Sequence, residues 1–208
     1  MKILICDDHK IVRDGLKKIL SQLEGKIQIE EAGKGIEAIH LLKSGDFDVV
    51  LLDLSLPDMS GLEVLQWVKE KRLSTNVLVL SMYPHEQYAI RALNLGASGY
   101  LTKDTASEEL LHAVKKVSSG KKYISLALAE SLASRLSNDF TKKQHEILSN
   151  REFDIMIRLA GGKSLQKIGD ELFISNKTVS TYRSRIMEKM NMTKNTDLAR
   201  YCIENQLI

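Results

Sequence analysis

Short apolar runs alternate with longer amphipathic stretches over the first 120 residues. The runs are Lys2–Cys6, Ile27–Glu31, Val49–Leu52, Val77–Ser81 and Gly99–Leu101. Val49-Val50-Leu51-Leu52 and Val77-Leu78-Val79-Leu80 contain no polar position, the pattern of strands covered on both faces in a parallel sheet. Between the runs, Ile11–Leu23, Ile36–Leu42, Leu62–Val68 and Ile90–Leu95 carry apolar residues at helical spacing. Five strand–helix units in succession predict a doubly wound α/β domain over residues 1–122, with a five-stranded parallel sheet in the usual order 2-1-3-4-5. Thr105-Ala106-Ser107-Glu108 is expected to open the fifth helix as a capping box.

After residue 125 no strand pattern occurs. Residues 123–147 are expected to form a helix (Leu126–Leu136) and a polar interdomain linker running to Leu148. A second capping box, Ser149-Asn150-Arg151-Glu152, then opens an all-α domain over residues 148–208. Its four predicted helices are Arg151–Ala160, Leu165–Leu172, Asn176–Met190 and Asn195–Asn205, with Gly161-Gly162 as a break and Phe173-Ile174-Ser175 as a turn. The change from alternating β/α to all-α is the main evidence for two domains.

Composition narrows the function classes. The chain is 43% hydrophobic and 27% charged, which excludes a disordered protein. No apolar run approaches the roughly 20 residues of a spanning helix, and the opening Met1–Cys6 is too short for a secretory signal, so no membrane partner is expected. Cys6 and Cys202 stand alone and are expected as buried thiols in a cytoplasmic protein. The net charge of +3 is unevenly placed: residues 1–138 carry 18 Lys/Arg against 18 Asp/Glu, residues 139–208 carry 12 against 9.

In open α/β sheets, reactive groups gather beyond the carboxyl ends of the strands. Asp7 and Asp8 follow the first strand here, Asp53 ends the third, Ser81 ends the fourth and Lys103 follows the fifth. Three converging carboxylates repel unless a cation neutralises them, and an oxygen-only site suits Mg²⁺. A carboxylate beside that ion is a nucleophile for a phosphoryl group, with Lys103 and the Ser81 hydroxyl placed to hold its oxygens. Singly, each residue has a plainer explanation: Asp7 or Asp8 as helix cap, Ser81 as turn residue, Tyr100 as core aromatic, Lys103 as a solvated lysine.

This set resembles the receiver domain of two-component response regulators. The resemblance implies that Asp7 and Asp8 are the acidic metal pair, that Asp53 is the phospho-acceptor, and that Ser55 offers its backbone carbonyl to the metal. It makes Ser81 the switch hydroxyl, Tyr100 the switch aromatic and Lys103 the phosphate-binding lysine. Activity would be limited to self-phosphorylation and phosphoaspartate hydrolysis. A rival reading exists. Gly33-Lys34-Gly35-Ile36-Glu37-Ala38 fits G-x-G-x-x-A, and Asp53 lies where a dinucleotide-binding domain places its ribose-binding acid. It leaves Asp7, Asp8, Ser81 and Lys103 without roles.

Leu165–Leu172, a three-residue turn and Asn176–Met190 have the shape of a helix-turn-helix. Val179, Tyr182, Ile186 and Met190 recur at helical spacing and predict the buried stripe. Lys177, Thr178, Ser180, Thr181 and Ser184 occupy the open face, with Arg183, Arg185 and Lys189 beside it, and four of the five charges from Lys177 to Lys189 are positive. Short hydroxyls near base edges and long cations near phosphates suit a major groove. Leu148-Ser149-Asn150-Arg151-Glu152, Gly162-Lys163-Ser164, Ile168-Gly169 and Ile174-Ser175-Asn176-Lys177-Thr178-Val179 resemble the LuxR-type domain of NarL/FixJ response regulators. Ser180 and Tyr182 depart from the lysine and histidine common there. The joint resemblance implies a sensor histidine kinase and double-stranded promoter DNA as partners, Mg²⁺ as cofactor and a homodimer on phosphorylation. Leu198, Tyr201 and Cys202 are open between dimer contact and core.

Overall fold

The computed structural model describes residues 1–82, 86–126, 128–130 and 143–208. The chain divides into two compact units, Met1–Arg135 and Leu136–Ile208. In the first, the apolar runs become strands β1 (Lys2–Cys6), β2 (Gln28–Ala32), β3 (Val49–Asp53), β4 (Asn76–Ser81) and β5 (Gly99–Thr102). They alternate with helices α1 (Lys10–Leu20), α2 (Gly35–Ser44), α3 (Gly61–Glu70), α4 (Glu86–Asn94) and α5 (Ala106–Ser118). A sixth strand, β6 (Tyr123–Ile124), extends the expected sheet of five, and the order is β2-β1-β3-β4-β5-β6 with every pairing parallel. Two residues carry no periodic signal, which is why β6 escaped the pattern.

β3 is buried along its whole length and β4 along all but its first residue. Ile3, Ile5, Leu51, Leu78 and Leu80 pack on one face against Leu110 and Val114 of α5 and Leu16 and Leu20 of α1. Both cysteines are buried thiols, as expected; burial raises both, Cys202 to about 12, so neither is nucleophilic near neutral pH.

Of the helix starts in this unit, one has a capping box and one lacks the box expected of it. α3 opens with a capping box: Ser60 Oγ accepts from the Leu62 N–H (3.3 Å) and the Ser60 N–H donates to Glu63 Oε2 (2.8 Å). The capping box expected at Thr105 does not form. Its backbone is already helical (φ −89°, ψ −10°), whereas a capping side chain needs an extended one, and the hydroxyl donates to the Thr102 carbonyl instead (3.3 Å).

Gly61 lets α3 sit directly on the end of β3. A Cβ there would lie 2.1 Å from the Asp53 carbonyl oxygen and 2.8 Å from Leu54 Cα, both backbone atoms that cannot swing aside. Gly61→Ala is therefore expected to cost about 1–3 kcal/mol, read as a lowered thermal midpoint.

The second unit holds α6 (Asn150–Ala160), α7 (Leu165–Leu172), α8 (Asn176–Lys189) and α9 (Asn195–Glu204), close to the expected four helices. The predicted capping box forms: the Ser149 N–H donates to Glu152 Oε2 (2.8 Å) and Ser149 Oγ accepts from the Glu152 N–H (3.3 Å). Gly169 makes the tight turn possible, since a Cβ would stand 2.7 Å from the Ile174 carbonyl oxygen. Phe153, Ile155, Met156, Ile168, Val179, Ile186, Leu198 and Cys202 close the core. Of the helix expected over 126–136, residues 126 and 128–130 are described and are helical, while 127 and 131–142, which include the rest of that helix and the first half of the linker, fall outside the described residues. Residues 123–147 are less linker than expected, because both ends are built in. Tyr123–Ile124 is β6, and Gln144–Ile147 forms a 3-10 turn whose His145 is fully buried, with Nδ1 2.9 Å from the Tyr201 hydroxyl.

Candidate phospho-acceptor site and nucleic-acid interface

Parallel pairing of β1 with β3 puts Cys6 opposite Leu52, so Asp7 and Asp53 emerge side by side at the carboxyl edge. Both are buried, at 2% and 3% exposure. Lys103, arriving from the end of β5, places Nζ 2.6 Å from Asp7 Oδ2 and 2.7 Å from Asp53 Oδ2. Its backbone N–H donates to the Ser81 carbonyl (2.8 Å), which fixes where the side chain starts. Asp53 Oδ1 accepts from the Ser55 N–H (3.2 Å), and Asp7 Oδ1 accepts from the His9 N–H (2.8 Å). Ser81 is fully buried at the end of β4, and Tyr100 is buried at 3% exposure in β5. The residue expected as the switch aromatic is thus buried in this structure.

Electrostatics here oppose one another. Burial raises Asp53 above the usual carboxylate range and neighbouring Asp7 adds to it, while Lys103 and the Ser55 N–H pull it back only in part. Burial works to lower Lys103, yet Asp53 and Asp7 more than offset this and its affinity for a proton rises. Asp53 thus binds a proton more tightly folded than unfolded. Its contribution to stability is present in acid and is lost as pH climbs through the raised value. Asp53→Asn cannot ionise, so its thermal midpoint is expected to exceed that of the native chain at neutral pH. The gap should close as pH falls toward the carboxylate range, and a lower midpoint for the variant at neutral pH would contradict this electrostatic picture.

Oxygen donors dominate the edge. Ligand atoms of Asp7, Asp8 and His9 lie within 4.8 Å of one another, and exposed Asp8 has Oδ1 2.7 Å from His9 Nδ1. His9 was not among the expected site residues; its adjacency to the acidic pair was the available signal. A buried carboxylate pair only half-neutralised by one lysine, with Asp8 facing solvent, fits a hard divalent cation.

The glycine turn does not serve as a phosphate cradle. The Gly35 and Ile36 N–H groups at the start of α2 donate to Asp58 Oδ1 and Oδ2 (2.7 and 2.9 Å), and the Gly33 N–H donates to Glu37 Oε2 (2.7 Å). The chain's own carboxylates hold the positions where a pyrophosphate would bind, which removes the dinucleotide reading.

On α8 the buried stripe is Val179, Ile186, Met187 and Met190; Tyr182 is only half-buried. Lys177, Thr178, Ser180, Thr181, Ser184 and Arg185 are exposed. Ser175 caps the helix, accepting from the Thr178 N–H (3.1 Å). Thr181 and Ser184 hydroxyls donate back to the Lys177 and Ser180 carbonyls (3.0 and 3.1 Å). Two of the expected cations have internal partners. Arg183 Nε donates to Asn195 Oδ1 (2.8 Å), and Lys189 Nζ pairs with the buried Glu152 (2.7 Å). Leu198 and Cys202 are fully buried in their own unit, Tyr201 bonds to His145, and Ile203 is the exposed apolar residue of α9. Leu198 and Cys202 are therefore core rather than dimer contacts. Among the described residues no helix is long and apolar enough to cross a membrane.

Residues 3–115 match the response regulator receiver domain, and residues 146–202 match the luxR family of bacterial regulatory proteins. The chain is 33% identical to the response regulator GacA of Pseudomonas aeruginosa, covering all of this chain and 98% of that one. It is 34% identical to the oxygen regulatory protein NreC of Staphylococcus carnosus, over 100% and 99%. A solved structure of RcsB from Salmonella enterica serovar Typhimurium, bound to a promoter in the presence of the phosphomimetic BeF3⁻, is similar at a TM-score of 0.61, with 26% identity and 97% of each chain covered.

Proposed function

Because the chain belongs to the response regulators that join a receiver domain to a LuxR-type DNA-binding domain, we propose that phosphorylation of Asp53 by a sensor histidine kinase controls how this protein dimerises and binds promoter DNA. The observation that carries this reading is the Asp7–Lys103–Asp53 bridge at the strand ends of a chain that also holds a helix-turn-helix. We take residues 1–122 as the receiver, 123–147 as the connecting segment and 148–208 as the DNA-binding domain, in the cytoplasm with the promoter.

Asp7, Asp8, Asp53 and the Ser55 carbonyl would hold Mg²⁺, which supplies positive charge against the carboxylates and the entering phosphoryl group. An Asp53 oxygen attacks phosphorus; the bond to the donor's leaving group breaks, and the leaving group departs with its electron pair. Lys103, released from its bridge to Asp53, follows the new phosphoryl oxygens, and the Ser81 hydroxyl donates to another. In hydrolysis, water attacks the phosphorus, the bond to the Asp53 oxygen breaks, and inorganic phosphate leaves with the Asp53 carboxylate regenerated. Beyond this self-phosphorylation and slow hydrolysis the chain acts as a regulator and not as an enzyme.

On α8, Lys177, Thr178, Ser180, Thr181 and Ser184 meet base edges and nearby phosphates, with Arg183, Arg185 and Lys189 along the backbone. Arg183 must exchange Asn195, and Lys189 must exchange Glu152, for a phosphate. Arg185 is exposed and is the freest of the three to reach one. Phosphorylation favours a dimer only through its different affinity for the two receiver states. Two DNA-binding domains held together then occupy two half-sites about one DNA turn apart. Sedimentation of the full chain with and without phosphoramidate should show more dimer after phosphorylation, and DNA affinity should rise with it. Identical oligomeric state and affinity before and after verified Asp53 phosphorylation would overturn the coupling while leaving the family assignment intact.

A further inference from the structure

The sheet's outermost strand takes no part in the chemistry above, yet it is held from several directions. The Tyr123 N–H donates to the Ser98 carbonyl (2.8 Å), and Lys122 Nζ donates to the Ala97 carbonyl (2.7 Å). The Tyr123 hydroxyl donates to Glu109 Oε2 on α5 (2.7 Å), and its buried ring meets His112 edge-on, with centroids 5.5 Å apart. Lys116 Nζ lies 5.6 Å from the same ring centroid. Gly99 admits the strand, because a Cβ there would fall 2.6 Å from the Tyr123 carbonyl oxygen. All of these contacts converge on a strand of two residues.

The register says what it is fixed to. Cys6, Leu52, Val79, Tyr100 and Ile124 are Cα partners in one row running across β1, β3, β4, β5 and β6. That row lies one residue before both Asp7 and Asp53. Tyr100 is held between Val79 on one side and Ile124 on the other, and beyond Ile124 the sequence continues toward the DNA-binding domain.

We propose that β6 is the attachment through which the receiver acts on the segment leading to the DNA-binding domain, with Gly99, Lys122 and Tyr123 as its positioning residues. A displacement of β5 caused at the phosphorylated edge reaches β6 through its pairing with Gly99 and Tyr100 and the Tyr123 N–H bond to the Ser98 carbonyl. This inference rests on the reading that Asp53 phosphorylation controls DNA binding, and it adds the physical link.

The test uses the full chain in two variants. Gly99→Ala drives a methyl into the Tyr123 backbone. Lys122→Met with Tyr123→Phe removes two side-chain anchors and leaves the sheet interior untouched, which covers a Gly99→Ala protein that fails to fold. Amide exchange at residue 123, phosphoryl uptake from phosphoramidate, and affinity for a duplex selected by the wild-type chain from a random pool are measured together. Exchange should quicken by about tenfold or more in both variants, with Asp53 phosphorylation and unphosphorylated DNA affinity unchanged. The gain in DNA affinity on phosphorylation, about 5–150-fold for coupled sites, should fall below about twofold. Tyr123→Phe alone, which keeps the ring, should retain most of it. A full gain despite a released amide would overturn the proposal, as would unchanged exchange in both variants. A wild-type chain whose DNA affinity ignores phosphorylation would instead sink the reading beneath it.

Discussion

Acetyl phosphate or phosphoramidate with Mg²⁺ is expected to add one phosphoryl group to this chain, and Asp53→Asn to abolish nearly all of that gain in intact mass. The expectation rests on position: Asp53 alone combines burial, a Lys103 partner and a place at the end of the central strand β3. Asparagine keeps the shape but replaces the anionic carboxylate oxygen, the nucleophile, with a neutral amide. Asp8→Ala should leave the acceptor intact and raise the Mg²⁺ concentration needed. Loss of a mere outer-shell partner typically costs about 10–100-fold in metal affinity, so loss of a ligand should cost at least about tenfold. Lys103→Ala should impair both loading and folding, since it strands two buried carboxylates without a counter-charge. Peptide mapping decides the site, and a phosphoryl group found on a serine or histidine would refute this chemistry.

The second large effect concerns DNA. The unit Leu136–Ile208 is expected to bind duplex DNA with an affinity that falls steeply as salt rises, because each phosphate contact releases counterions. Arg185→Ala should weaken binding on every sequence and lower the salt slope by about 1. Lys177, Thr178, Ser180, Thr181 and Ser184 face outward, and their loss should alter discrimination by about 1–3 kcal/mol per base contact. Lys189→Ala is expected to behave differently, because the buried Glu152 it leaves behind also closes the α6 capping box. Lys189 is 42% exposed, so the stability cost is only about 1 kcal/mol, yet it should appear in thermal unfolding without DNA. Titration by fluorescence anisotropy across a salt series separates these cases; equal slopes for Arg185→Ala and the native unit would remove Arg185 from the interface.

Much of the receiver was legible because its signals are local. A run such as Val49–Leu52, four residues between turn signals, reads as a strand covered on both faces, and the polar residue that ends it emerges at the carboxyl edge. The Ser149–Glu152 capping box was legible for the same reason, since four adjacent residues carry the whole interaction. Thr105 misled because a capping box also needs an extended backbone, which neighbouring Thr102 and the β5 end did not provide. β6 was hidden because its signal lies in Gly99, distant in sequence, and not in Tyr123–Ile124 themselves.

By itself, the sequence determined the alternation of strands and helices, the change to an all-α region, the carboxylates that end the strands, and the polar face of α8. Those follow from periodicity and from which residues end each strand. Tertiary structure alone decided that Lys103 joins Asp7 to Asp53, and that Asp58 occupies the α2 N-terminus in place of a phosphate. It likewise decided that Lys189 and Arg183 already have partners, and that Leu198 and Cys202 are core. The physical reason is common to all of these. A side chain's charge and shape are written in the chain, but the partner that neutralises or covers it arrives from residues dozens of positions away.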